Sequence, residues 1–133
     1  SAFAAADPYD AYEQLLVDAE GRILEGGSSN FGVIVHPGED PPILRTAGSG
    51  ILPGIARSIM LDIAPEVVRV DLVAPRINEI SSFAEAFLTS ASRGIIPVTS
   101  IDGVPVGNGA PGPTTAALIR RYNRRATELE EPL

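Results

Sequence analysis

Lysine is missing from this chain: all ten of its basic residues, out of 133, are arginine. That excludes an imine on any side-chain amine of these residues, a route that needs a lysine nucleophile. Cysteine is absent too, which removes disulfides and thiolate metal sites and is compatible with a reducing, cytoplasmic setting. Tryptophan is missing and aromatics make up only 5%, so the core has to be built from aliphatic side chains. The single histidine, His36, has no neighbouring ligand at metal spacing and reads as a strand-end residue, not a catalytic base. Positive charge is the minority, and the resulting net charge of −7 argues against a nucleic-acid surface. There is no apolar run of about 18 residues, so no membrane span is expected. The opening Ser-Ala-Phe-Ala-Ala-Ala lacks the basic region of a signal peptide.

What is present suits one domain, able to bury roughly two-thirds of its unfolded surface. Thirteen glycines and twelve prolines imply many turns. Residues 1–10 read as a loose N-terminal segment and residues 11–133 as a single domain. Strands are expected at Ala11–Asp18, Arg22–Leu24, Phe31–Val35 and Ile43–Arg45, with Asp18-Ala19-Glu20-Gly21 as a hairpin turn. After Pro53-Gly54, apolar residues at Ile55, Ile59 and Ile63 have the spacing of a helix. Pro65 limits that helix, because the residue before a proline disfavours the α conformation. Val67–Ala74 alternates partly and reads as a half-exposed strand with Val68, Val70 and Leu72 on one face. A short helix and turn over Pro75–Phe83 leads to strands at Ala84–Thr89 and Ile95–Ile101, and Asp102-Gly103 is a type I′ hairpin signal before Val104–Val106.

The last helix starts at Pro111–Thr115, with Thr114 or Thr115 as N-cap and an inward stripe of Leu118, Tyr122, Ala126 and Leu129. Its arginines at 120, 121, 124 and 125 are followed at once by Glu128, Glu130 and Glu131, the pattern of a solvated charged face. Interleaved strands and helices place the fold in the α/β or α+β class: a mixed sheet or pseudo-barrel with flanking helices.

Three stretches carry chemistry. Leu24-Glu25-Gly26-Gly27-Ser28-Ser29-Asn30-Phe31 sets one carboxylate between two strand-like runs and follows it with small residues that allow close backbone approach. It reads either as a cofactor cradle, with a protonated ring nitrogen as the partner of Glu25, or as a solvated turn. Ile51-Leu52-Pro53-Gly54-Ile55-Ala56-Arg57 opens a helix with free N–H groups at Gly54, Ile55 and Ala56, a site suited to phosphate; an ordinary helix start is the alternative. Ala86 to Val98 is a strand, a Ser/Thr/Gly turn and a second strand.

These stretches, followed by Asp102-Gly103 and by Gly107, Gly109, Gly112 and Pro113, occur in the order that resembles the class IV aminotransferases, the fold-type IV pyridoxal phosphate enzymes. That family includes branched-chain aminotransferases, D-amino acid transaminases and aminodeoxychorismate lyases. The resemblance runs from about Tyr12 to Tyr122 and is to the family's C-terminal domain only. It implies that Glu25 partners the pyridinium nitrogen of pyridoxal 5'-phosphate and that the N–H groups of Ile55 and Ala56 hold its phosphate, beside Leu52 and Gly54. The family commonly has threonine where this chain has Ala56 and Ala91, so two hydroxyl contacts are missing; Ser90 or Ser92 would compensate. Arg57 fits the pattern as a structural residue, and Arg93, beside the predicted cofactor turn, reads either as a partner of a substrate carboxylate or as a structural residue.

The family's Schiff-base lysine lies N-terminal to the strand carrying the Glu motif, and none exists here. The expectation is therefore the C-terminal part of a longer aminotransferase, acting with a missing N-terminal domain, as a homodimer, on an amino acid and a 2-oxo acid. An aminodeoxychorismate lyase, or a non-catalytic domain used for binding or assembly, is the alternative. Mixed by itself with pyridoxal phosphate, the chain should show no transaminase activity and leave no borohydride-stable pyridoxyl adduct on an internal side chain. Mass spectrometry after reduction checks this, and an internal adduct would refute it.

Overall fold

Short apolar runs punctuated by Gly, Pro and Ser fold here into strands that circle one core and carry a second on their outside. The structure, a computed structural model, describes residues 2–6 and 12–130. In chain order these form β1 (Ala2–Ala6), β2 (Tyr12–Val17), β3 (Ile23–Gly26), β4 (Asn30–Val35), β5 (Ile43–Thr46) and α1 (Ile55–Ile63). Then come β6 (Arg69–Asp71), β7 (Phe83–Ser90), β8 (Gly94–Val98), β9 (Ser100–Ile101), β10 (Val104–Pro105) and α2 (Pro113–Glu130). Two 3₁₀ turns, Ala64–Glu66 and Ile77–Ser82, flank β6. The sheet is mixed: β5 and β6 pair parallel, while the other strand pairs are antiparallel.

The pairings make a circuit. From β1 it runs through β2, β3, β4, β7 and β8, crosses Thr99 into β9, and returns to β1. Ala5, Leu15, Ile23, Phe31, Val33, Phe83, Ala86, Leu88, Val98, Ile101 and Val106 fill its inside. On the outside, Ile34, Leu44 and Phe87 meet Ala56, Met60 and Ile63 of α1 and Leu118 and Tyr122 of α2. β4 is thus covered on both faces, which is why Phe31 to Ile34 reads as one unbroken buried run. The scarce aromatics are concentrated in these cores, since Phe31, Phe83 and Phe87 are all at most 2% exposed.

Several expectations change. Ala2–Ala6 is no loose lead: it pairs with β2 over its whole length and with β9 at Ala5 and Ala6, closing the circuit with backbone hydrogen bonds that an alanine-rich run supplies as well as any other. Ser1, residues 7–10 and Ala11 lie outside the described residues. The buried face of α1 is Ala56, Met60 and Ile63, while Ile55 is 77% exposed. Only Arg69–Asp71 of the Val67–Ala74 run is strand, and Leu72 is exposed where it leaves the sheet. Ile95–Ile101 breaks at Thr99, whose carbonyl accepts the Val106 N–H instead. Asp102 and Gly103 take φ of 50° and 78°, as a type I′ turn requires.

The start of α2 also differs. Helix begins at Pro113, one residue before the expected cap, and no threonine caps it. Instead the carboxylate of Glu85, a buried residue of β7, accepts the Thr114 and Thr115 N–H groups at 3.2 and 2.7 Å. An anion at a helix N-terminus satisfies orphan donors and meets the positive end of the dipole. Gly112 is required beneath it, because a Cβ there would overlap the Glu85 side chain. Leu118 and Tyr122 face inward as expected, whereas Leu129 is 66% exposed, beyond the sheet that the helix covers. On the outer face, Arg121 pairs with Glu66 and Arg125 with Asp62, exposed ion pairs of little energetic weight. Glu85→Ala should therefore lower the unfolding free energy by about 2–3 kcal/mol, and Arg121→Ala by less than about 0.5 kcal/mol. Urea denaturation of the two variants checks this; equal losses would remove Glu85 from its capping role.

Candidate functional site

Strand register assembles the site. Leu16 of β2 stands opposite Glu25 of β3, Glu25 opposite Asn30 of β4, and Asn30 opposite Thr89 of β7. Directly opposed residues share a face of the sheet, so these four form a row across four strands. All four line a cavity of about 330 Å³, at the lower end of the ~300–1,000 Å³ usual for small-ligand sites. Gly26 to Ser29, Leu52 to Ala56, Ser90 and Ala91 complete its wall.

The phosphate-type turn is built as its sequence suggests. Gly54 occupies the N-cap of α1 in an extended conformation, with φ −95° and ψ 154°, and no side chain caps the helix. Helical bonding starts at the Ser58 N–H, which reaches Gly54 O at 3.0 Å, and leaves the N–H groups of Ile55 and Ala56, two residues of the cavity wall, without a helical partner. A Cβ at Gly54 would lie 2.7 Å from Asn30 Oδ1, so only glycine lets the turn approach β4 this closely. Glu25 reaches the same turn from below: its Oε1 accepts the Leu52 N–H at 3.1 Å. Thr89 Oγ1 is buried in the cavity wall with no hydrogen-bond partner.

The Gly-Ser loop also makes a contact that was not expected. Residues 27–29 line the cavity and at the same time fold around Glu13 of β2. Glu13 accepts the Gly27 N–H at 3.1 Å and the Ser28 and Ser29 hydroxyls at 2.8 and 3.3 Å. Glu13 was not singled out in the sequence, where it is one acid in an apolar strand; its partners lie 14 to 16 residues downstream. That carboxylate holds the loop together with the backbone bonds from Gly26 N–H to Ser29 O at 2.8 Å and from Gly27 N–H to Gln14 O at 3.0 Å.

Of the residues expected at a cofactor, the structure brings Glu25, Leu52, Gly54, Ile55, Ala56, Ser90 and Ala91 into one cavity. Ser92 is not in its wall and touches it only through Ser90, with the two hydroxyl oxygens 3.2 Å apart. Arg93 is not in it either. It lines a separate groove with Ile95, Ile96, Pro97 and Ile119, because the turn after β7 carries its side chain towards α2. Arg57 is turned away as well, donating to Ala47 O at 2.7 Å; burial lowers its guanidinium pKa below the usual value. Among the described residues lining the cavity, Glu25 is the ionisable one, so the wall is acidic at one end and offers only N–H groups and hydroxyls for an anion.

Comparison with known proteins follows the same outline. A profile of the family described as Amino-transferase class IV matches residues 2–101. A D-alanine aminotransferase of Bacillus licheniformis is 35% identical over 111 residues, which are 83% of this chain and 38% of that protein. A branched-chain-amino-acid aminotransferase of Pseudomonas aeruginosa is 32% identical over 114 residues, 84% of this chain and 36% of its own. Among solved structures, the T.th. branched-chain amino acid aminotransferase with pyridoxamine 5'-phosphate superposes with a TM-score of 0.77 at 29% identity, covering 89% of this chain and 38% of that one. The chain thus spans less than half the length of the relatives it matches. Glu13→Ala removes the acceptor of the Ser28 and Ser29 hydroxyls and one of two acceptors of the Gly27 N–H, which also donates to Gln14 O at 3.0 Å; it should lower the unfolding free energy by about 1–2 kcal/mol. Urea denaturation checks this, and an unchanged stability would mean that the backbone hydrogen bonds alone hold the loop.

Proposed function

The chain belongs to the class IV aminotransferase family, and on that footing we propose that it is the cofactor-holding part of a pyridoxal phosphate-dependent aminotransferase. The whole protein would move an amino group between an amino acid and a 2-oxo acid. One observation carries the reading: the Glu25 carboxylate and the uncapped start of α1 line the same small cavity. A ring cation at one end and a phosphate at the other match that charge pattern.

When bound, the cofactor supplies an electron sink for carbanion chemistry. The protein's part is electrostatic. Glu25 holds a proton on the ring nitrogen, using the oxygen that the Leu52 N–H leaves free. The N–H groups of Ile55 and Ala56, at the positive end of α1, hold the phosphate. Leu16 and Leu52, 42% and 79% exposed, offer apolar surface to the ring. Ala56 and Ala91 supply no hydroxyl, and each missing contact is worth about 1.5–3 kcal/mol; the Ser90 hydroxyl and the unpartnered Thr89 hydroxyl stand in the same wall to offset them. The lysine comes from outside these 133 residues, from a further domain. That domain, together with a second copy, covers the apolar rim of Leu16, Leu52 and Ile55.

The test is Glu25→Gln in the full-length protein. Cofactor affinity should be largely retained, because the phosphate is held elsewhere, while kcat falls by about 10²-fold through loss of the charge that keeps the ring protonated. Single-turnover kinetics with the cofactor bound separates the two, and an unchanged rate would take Glu25 out of the mechanism.

A further inference from the structure

Asn30 has no part in the reading above, yet it is 7% exposed and lines the cavity. Its Nδ2 donates to Leu52 O at 3.0 Å. Glu25, directly opposite it on β3, accepts from the N–H of the same residue at 3.1 Å. Leu52 is therefore gripped through its backbone from both sides, by two neighbouring side chains of the sheet. Its own side chain is 79% exposed, so packing does not hold it. Asn30 Oδ1 also lies directly beneath Gly54, too close to admit a Cβ there. One carboxamide thus touches the turn on both sides of Pro53.

We propose that Asn30 is a positioning residue for the anion-binding turn: with Glu25 it clamps the Leu52 backbone, so that the carboxylate facing the ring and the N–H groups facing the phosphate keep a set separation. The proposal rests on the reading of the cavity as a pyridoxal phosphate site. A flexible Pro-Gly turn would otherwise have to be ordered when the ligand binds, and that ordering would be subtracted from affinity. The clamp makes the order part of the folded protein. Because Glu25 retains its place in β3 without Asn30, removal of Asn30 should loosen the phosphate end and leave the ring end in place.

Two variants of the full-length protein test this: Asn30→Ala, which removes the donor, and Asn30→Asp, which keeps the shape but presents only acceptors to Leu52 O. Amide exchange at Leu52 is read in the cofactor-free protein, and dissociation constants are measured for pyridoxal 5'-phosphate and for pyridoxal, which lacks the phosphate. Both variants should speed Leu52 exchange by about tenfold and weaken pyridoxal 5'-phosphate by about tenfold, the scale of one hydrogen bond, with pyridoxal binding unchanged. If Asn30→Ala does not fold, Asn30→Asp carries the test. Unchanged Leu52 exchange in a folded variant overturns the clamp. Equal weakening of both ligands also overturns the proposal, because it makes Asn30 a general support of the cavity. A wild-type protein that binds no pyridoxal 5'-phosphate, with Leu52 still responding to Asn30, defeats the reading of the cavity and the proposal with it.

Discussion

The pairing of β4 with β7 is the constraint on which the rest of the molecule depends. These two strands lie side by side from Asn30 opposite Thr89 to Val35 opposite Phe83, with one irregularity near Ile34. One face of the pair, with Phe31, Val33, Ala86 and Leu88, is a wall of the inner core, and the other, with Ile34 and Phe87, is the floor beneath both helices. Two cores share a single two-stranded wall. The same pair supplies the outer polar row: at one end Asn30 and Thr89 enter the cavity, and nearer the other Glu85 takes the start of α2. A slip of one residue would turn Asn30 and Glu85 into the hydrophobic core and expose Phe31, and this is why such a register is strongly specified.

A recurring device is the carboxylate that reaches across the fold to satisfy backbone donors. Glu85 does so for α2, Glu13 for the Gly27 loop and Glu25 for the Leu52 turn. Each places a negative charge against N–H groups that have no partner in their own element, an arrangement stronger than a neutral hydrogen bond. The two helix starts show the contrast that matters for function. α2 has its anion built in, whereas α1 has Gly54 and no side-chain cap. The chain thus caps one helix from a distant strand and leaves the other without a side-chain cap at the edge of a cavity.

Much of this was legible beforehand. The order of the Glu25, Pro53-Gly54 and Phe87-to-Val98 stretches identified the family, because turn and helix-start motifs are local and keep their spacing whatever surrounds them. The mixed sheet with flanking helices and the hairpin at Asp102-Gly103 were readable for the same reason: period-2 runs and turn residues act within a few positions of themselves. Where reading failed, the cause was a long-range partner. Ala2–Ala6 has no pattern that distinguishes a loose end from a strand until β2 and β9 are beside it. The spacing of Ile55, Ile59 and Ile63 gave the helix but not its buried face, which is Ala56, Met60 and Ile63, because the face depends on how α1 lies against the sheet and α2.

By itself, then, the amino-acid sequence determined the family, the class of fold and the existence of an acidic turn and an open helix start, all of which are encoded in residues adjacent along the chain. Tertiary structure alone decided which polar side chains meet. Glu13 engages the loop 14 to 16 residues away, Asn30 grips Leu52 at a separation of 22, and Glu85 caps a helix 29 to 30 residues on. Arg93, next in sequence to the predicted turn, faces another groove. The physical reason is that a lone polar residue in a strand carries no periodic signal; its partner is selected by register and by the cost of leaving a buried group unpaired, and both exist only once the strands are assembled.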